Sequence, residues 1–311
     1  MKASEIDPNE SKDAYQTKQE VIGNSWIILF AGHESTGNTT HFVLTFLAIA
    51  LESQAHLQAD IDAILGSRSM DDWTYETDMG RLYQSMVGAV MNETLRLCPP
   101  IIDIPKIVRE TPKSLKWDGK TVIVPPHTMI HLSACSVGRN PRYWPNSPSK
   151  ISDRSHDLDD FVPERWLRPF KRSNGAVDSN VSSDSENAEE TKRASFESGD
   201  GLFVPPKGAF LPFSEGARSC PGKRFAQVEV MAVLAVIFKT YTVELDVREW
   251  ASDEEVESMG KAERRKVYEQ AMAKARKLIR ESETIIALKM YGKVPVRFVE
   301  RGKERFMGCF V

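Results

Sequence analysis

The sequence predicts a mainly α-helical protein with small β-sheets. Two observations carry this reading. Three stretches without proline, Lys18 to Leu51, Gln54 to Leu65 and Gly80 to Leu97, are long enough for helices, and a fourth, Pro221 to Phe238, opens with proline in its first turn. Short runs rich in β-branched residues appear only between and after them. Ser114 to Trp117 and Thr121 to Val124 flank Asp118-Gly119, a hairpin signature, and Thr128 to Leu132 offers a further strand. Thr284 to Met290 and Val294 to Val299 read as a closing pair of strands.

The first helix is apolar at its ends and polar in the middle, where Gly32-His33-Glu34-Ser35-Thr36-Gly37-Asn38-Thr39-Thr40-His41 interrupts it. A buried helix with a polar centre is costly unless that centre faces a site. The same interruption removes this segment from the transmembrane class, which needs about 20 mostly apolar residues. Pro99-Pro100 stops the helix that ends at Leu97. Residues 171–200 are rich in Ser, Asp, Glu and Asn and read as a disordered surface insert. Residues 250–283 are densely charged and read as an exposed helical insert.

The chain has 311 residues, of which 41% are hydrophobic and 27% charged, within the ordinary globular range. A net charge of -3 exerts no whole-chain attraction on nucleic acid. The four cysteines, Cys98, Cys135, Cys220 and Cys309, are far apart and form no CxxC pair, which argues against zinc, iron–sulfur clusters and a disulfide framework. The first residues are polar and acidic, with no signal-peptide core.

Chemistry concentrates in Phe213-Ser214-Glu215-Gly216-Ala217-Arg218-Ser219-Cys220-Pro221-Gly222, directly before a helix. A cysteine at a helix start feels the positive end of the macrodipole and free backbone N–H groups, which favour its thiolate. Arg218 adds positive charge, Gly216 and Gly222 permit close backbone approach, and Phe213 offers a flat apolar face. An isolated cysteine at such a junction is ordinarily a small buried residue; its neighbours reverse that reading. The segment resembles the haem-binding signature of the cytochrome P450 family, F-x-x-G-x-R-x-C-x-G, at every specified position.

Three further segments carry the same resemblance, in the family's order. Ala31-Gly32-His33-Glu34-Ser35-Thr36 looks like the oxygen-activation motif, with Ser35 where threonine is usual. Glu93-Thr94-Leu95-Arg96 is similar to the helical E-x-x-R motif, and Pro163-Glu164-Arg165-Trp166 to the segment that adds a second arginine. The resemblance covers 18–301 best and implies the C-terminal part of the cytochrome P450 fold. It implies haem b ligated by the Cys220 thiolate, with Phe213, Gly216, Arg218 and Gly222 shaping the loop. Glu34, Ser35 and Thr36 would deliver protons for oxygen activation, with Gly32 letting the helix open there. Glu93, Arg96 and Arg165 would form a buried structural network. The implied activity is a monooxygenase acting on an apolar small molecule with O2. Electrons would come from NADPH-cytochrome P450 reductase, with cytochrome b5 as a second donor, and Lys207, Lys223 and Arg224 would offer a basic docking face. No nucleic-acid partner is implied. Two alternatives stay open: a haem-binding fragment without turnover, and a haem-thiolate peroxygenase or isomerase. The style of the motifs suggests a fungal source. A full-length member of this kind would sit at the cytosolic face of the endoplasmic reticulum; this sequence shows neither the anchor nor the helices that precede the oxygen motif in the family, and is expected to be a fragment.

Overall fold

In a computed structural model, which describes residues 16–117, 119–167 and 202–311, Thr17 opens the first helix, α1 (Lys18–Ile49). Its hydroxyl accepts the Glu20 N–H at 3.3 Å, and its own N–H donates to the Glu20 carboxylate at 2.7 Å. This capping box satisfies donors that a helix start leaves open. α1 runs unbroken through Gly32. A single residue, Ala50, turns the chain into α2 (Leu51–Leu65), which Gly66 ends at φ +58°.

The helix expected from Gly80 to Leu97 is two: α3 (Gly80–Tyr83) and α4 (Met86–Leu97). Ser85 adopts an extended conformation between them and caps α4 by accepting the Val87 N–H at 3.2 Å. Every residue of α4 is buried. It forms the centre of the molecule, with α1, α2 and a later helix, α6 (Lys223–Thr240), packed around it. The core there is built from Val43 and Leu47 of α1, Leu57 and Ile61 of α2, Val87 and Val90 of α4, and Met231, Leu234 and Phe238 of α6. Burying each such side chain contributes about 1.5–3 kcal/mol.

Between α4 and α6 lie β1 (Asp103–Ile107), β2 (Lys113–Trp117), β3 (Lys120–Val124), β4 (Met129–Ser133) and the one-turn helix α5 (Ala134–Val137). β2 and β3 form the hairpin expected at Asp118-Gly119, and Gly119 takes φ +73°. β4 pairs with β1 rather than extending that hairpin. Residues 168–201, which include the Ser- and Asp-rich insert, lie outside the described residues.

α6 runs directly into β5 (Tyr241–Leu245), a strand the sequence reading did not foresee. The helices α7 (Asp253–Ser258) and α8 (Lys261–Arg280) follow, then β6 (Glu283–Thr284), β7 (Leu288–Lys289) and β8 (Val296–Glu300). The expected closing pair is therefore corrected. β8 pairs antiparallel with β5, while β6 and β7 form their own short hairpin. The pairing is non-local because β5 is buried from Thr242 onward and needs a partner inside the core. Gln54 fixes it from α2: its amide donates to the Leu47 and Val243 carbonyls, each at 2.9 Å, and accepts the Val243 N–H at 2.7 Å.

α8 is exposed on one side only. Tyr268, Ala271, Met272 and Ala275 are buried, and the Tyr268 hydroxyl donates to the Ala48 carbonyl at 2.7 Å while accepting the Leu245 N–H at 3.0 Å. Among the described residues no helix is long and apolar enough to cross a membrane.

Candidate haem-binding site

α4 carries a carboxylate into the least accessible part of the molecule. Glu93 and Arg96 are one turn apart, and their side chains have 0% exposure. The two glutamate oxygens accept from Arg96 Nε and Nη2, both at 2.8 Å. Arg165 Nε adds a bond to Oε1 at 2.9 Å, from the short 3-10 turn Pro163–Leu167. Two donors that the sequence did not disclose complete the set: the Val162 N–H at 3.0 Å and the Trp166 indole N–H at 2.9 Å. The available signal was the tryptophan itself, since a buried indole N–H needs an acceptor. Arg96 extends the network to the Gly138 and Leu158 carbonyls, and Arg165 to the Pro145 carbonyl and to Asp157. The loop 138–166 is thus tied to α4 by the two guanidinium groups and by the Val162 and Trp166 donors on Glu93, with Trp144 and Trp166 packed in the same core.

Burial alone would push the Glu93 carboxyl up, but the Arg96 and Arg165 charges and the donated hydrogen bonds outweigh it and hold the group at about 2, below its ordinary 4.5. A depressed carboxylate stabilises the fold fully above its unfolded value and loses that contribution as the pH falls through the folded one. Stability is therefore expected to fall as the pH is lowered from about 4.5 toward about 2. Urea midpoints measured at pH 6, 4 and 3 (conditions chosen on the order of these values) check it; an unchanged midpoint across the series would contradict the assignment.

The cysteine loop is held by its own backbone. The Cys220 N–H donates to the Phe213 carbonyl at 2.8 Å, the Ser219 N–H to Gly216 at 2.9 Å and the Ser214 N–H to Leu211 at 3.0 Å. Gly216 takes φ +80°, where a side chain would be strained. Gly222 does not share that conformation; it lies beside the sulfur, and a Cβ placed there would stand 3.9 Å from Cys220 Sγ. Helix α6 starts at Lys223 rather than at Pro221, so Cys220 stands just ahead of its first turn. Of the four cysteines Cys220 alone is exposed; Cys98 and Cys309 are buried and Cys135 is half-buried. Burial pushes the Cys98 thiol up to about 12 and raises that of Cys135, so neither offers a thiolate. Arg218 is exposed. Arg224 is half-buried, and its guanidinium donates to the hydroxyl of the exposed Tyr75 at 2.8 and 2.9 Å.

The oxygen-motif segment of α1 and the cysteine loop meet at one cleft. Ser35, Thr36 and Thr39 line it from α1, Met91 and Leu95 from α4, Phe213 from the loop, and Ala226, Gln227 and Val230 from α6. Pro100 closes one edge. Ser35 and Thr36 are thus brought to the same space as Phe213, whereas Glu34, Gly216, Arg218 and Cys220 do not line this cleft. Ser35 Oγ donates to the Ala31 carbonyl at 2.7 Å, the usual resting bond of a helical serine. N-terminal to the motif, α1 presents Trp26, Ile28 and Leu29 at 63%, 64% and 72% exposure.

The donor set fits a haem. It has one accessible soft sulfur at a helix start and an apolar ring on the same loop. Among the described residues no group of three or more His, Cys, Asp and Glu side chains converges as a protein-only metal site would.

Comparison with known proteins agrees. The chain matches the cytochrome P450 family model over residues 1–267. It is 29% identical over 286 residues to a cytochrome P450 monooxygenase of Arthrobotrys oligospora, covering 91% of this chain and 43% of the relative. It is 31% identical over 254 residues to cytochrome P450 monooxygenase 124 of Postia placenta, covering 79% and 39%. It is 28% identical over 238 residues to cytochrome P450 3A2 of Rattus norvegicus, covering 75% and 37%. The chain therefore spans about two fifths of the length of these curated relatives. The family-model match extends over most of the sequence, and with a buried Glu93–Arg96–Arg165 network and an exposed Cys220 at the start of α6 beside it, the chain belongs to the cytochrome P450 family.

Proposed function

We propose that this chain supplies the haem-ligating and oxygen-activating portion of a haem-thiolate monooxygenase. The reaction inserts one atom of O2 into an apolar organic substrate and reduces the other to water, with two electrons from NADPH delivered by a flavoprotein reductase. The observation that carries this reading is the accessible Cys220 sulfur on a loop whose Phe213 shares a cleft with Ser35 and Thr36. When bound, the haem supplies the iron that activates O2, and a thiolate ligand pushes electron density onto it.

The protein's own residues have distinct tasks. Cys220 holds the iron, and the turn at Gly216 with the Cys220–Phe213 backbone bond keeps the sulfur in place. Ser35 holds a proton on Oγ, engaged at rest by the Ala31 carbonyl. Releasing it requires that hydroxyl to rotate, which serine does more readily than threonine. Glu34, half-buried one residue earlier, supplies a carboxyl to refill the hydroxyl. Glu93, Arg96 and Arg165 act on the fold and not on the substrate.

A second reading, haem binding without turnover, is favoured for these residues by themselves by the exposed apolar surface at Trp26, Ile28 and Leu29, a patch that calls for a cover. One experiment separates the readings. The chain is assayed alone and fused behind the corresponding upstream segment of the Arthrobotrys oligospora relative, with haem, a reductase and NADPH. The expected result is substoichiometric haem and no turnover alone, with NADPH-dependent oxygenation in the fusion. Oxygenation that needs only peroxide would make it a peroxygenase. Haem retention with neither activity would reduce it to a binding role, and coupled turnover by the isolated chain would remove the second reading.

A further inference from the structure

The cleft between α1 and α6 contains two polar groups that the mechanism above does not use. Gln227, at the fifth position of α6, is 2% exposed, and its Oε1 meets no hydrogen-bond donor among the described residues. Leaving a buried amide oxygen unmatched is costly, and native proteins seldom do so without a bound water or ligand. Thr36, 7% exposed, lines the same cleft from α1. The other hydroxyls of this helix donate to the carbonyl one turn back: Ser25 to Val21, Ser35 to Ala31, Thr39 to Ser35, Thr40 to Thr36 and Thr45 to His41, at 2.7 to 2.9 Å. The Thr36 hydroxyl makes no such bond among the described residues, which leaves its proton available to a ligand in the cleft.

The cleft offers about 30 Å³ of space open to water, room for one or two molecules. Met91, Leu95, Ala226 and Val230 give it apolar walls, while Ser35 and Thr39, which also line it, spend their hydroxyl protons on carbonyls of α1. Gln227 on α6 and Thr36 on α1 are the polar side chains of this lining whose hydrogen-bonding capacity is not already spent on a bond among the described residues.

We propose that Gln227 and Thr36 hold an ordered water that ties α6, the helix that follows Cys220, to the oxygen-motif segment of α1. The bridge satisfies the Gln227 oxygen and fixes the spacing of the two helices at the level of Thr36. Its existence rests on the cleft alone. Its consequence rests on the proposed function: losing it would loosen the Ser35–Thr36 segment relative to the cysteine loop and let more electrons escape as hydrogen peroxide.

The test is a double-mutant cycle on the full 311-residue chain without haem, read as the urea unfolding equilibrium constant. Gln227→Leu and Thr36→Val are made singly and together, with Gln227→Met as an alternative for a Gln227→Leu chain that does not fold. A bridge predicts coupling of about three- to tenfold between the two sites. Thr40→Val serves as control, because its hydroxyl is engaged within the helix at 2.9 Å, and no coupling to Gln227 is expected there. Additive effects, a Gln227→Leu chain more stable than the parent, or equal coupling to Thr36 and Thr40 would each overturn the proposal. In the haem-loaded fusion with reductase and NADPH, Gln227→Leu is then expected to raise peroxide release per NADPH severalfold. Coupling in the cycle with unchanged peroxide release would leave the water bridge standing and overturn its role in oxygen chemistry.

Discussion

Replacement of Glu93 by alanine is expected to cost about 3–5 kcal/mol, a large share of the roughly 5–15 kcal/mol that holds a native domain together. The magnitude follows from what remains behind. Arg96 and Arg165, at most 1% exposed, would keep their charges with the central carboxylate gone. Arg165 would retain Asp157 at 3.1 Å, but Arg96 would be left with backbone carbonyls and the Trp144 ring and, among the described residues, no second acid. The Val162 and Trp166 N–H groups would lose their acceptor as well. Because the network joins α4 to the loop 138–166, the loss spreads beyond a single contact. Glu93→Gln, which removes the charge and keeps one acceptor oxygen but sets an NH2 donor against the donors that the other oxygen served, should fall between the parent and Glu93→Ala. Urea unfolding followed by far-ultraviolet circular dichroism checks the order; a Glu93→Ala chain with the parental midpoint would show that the pairs are not structural.

Gly88→Ala is expected to destabilise by about 3 kcal/mol, against the usual preference of helices for alanine. The chain turns from α3 into α4 within two residues, and this brings the Tyr83 backbone against the first turn of α4. A Cβ on Gly88 would stand 1.9 Å from the Tyr83 carbonyl oxygen and 2.7 Å from its carbon. Both are backbone atoms, so no rotamer change relieves the overlap, and the turn itself must move. Gly37→Ala in α1 is the matched control, since nothing lies within 4 Å of its added Cβ. That variant should be neutral or more stable by about 0.5–1 kcal/mol. Equal effects of the two substitutions would contradict the packing described for α4.

What could be read from the sequence depended on how local each feature is. The Cys220 loop was legible because its parts are contiguous and its loop-to-helix context is set within ten residues. Glu93 and Arg96 were legible as a helical pair, and Arg165 through family resemblance. Trp166 and the Val162 N–H were not, because their bonds to Glu93 cross about 70 residues, a closure no spacing rule anticipates. The β5–β8 pairing failed for the same reason: the two apolar runs nearest in sequence were matched, whereas the buried strand after α6 takes the later one. The break at Ser85 was missed because a serine inside a helical pattern reads as tolerated unless its capping bond is known. α8 was legible and misread. Tyr268, Ala271, Met272 and Ala275 follow the i, i+3, i+4, i+7 pattern of a buried face, hidden by the charges around them.

The ferrous–carbon monoxide spectrum of cysteine variants tests the central claim most directly. Each of Cys98→Ala, Cys135→Ala, Cys220→Ala and Cys309→Ala is made in the haem-loaded fusion described above. The account predicts that the red-shifted Soret band of a thiolate-ligated haem is lost in Cys220→Ala alone. It persists in Cys135→Ala and Cys309→Ala, and in whatever fraction of Cys98→Ala folds, because that buried thiol is held protonated and away from the loop. A thiolate band surviving in Cys220→Ala would contradict the assignment of Cys220 and the site built around it.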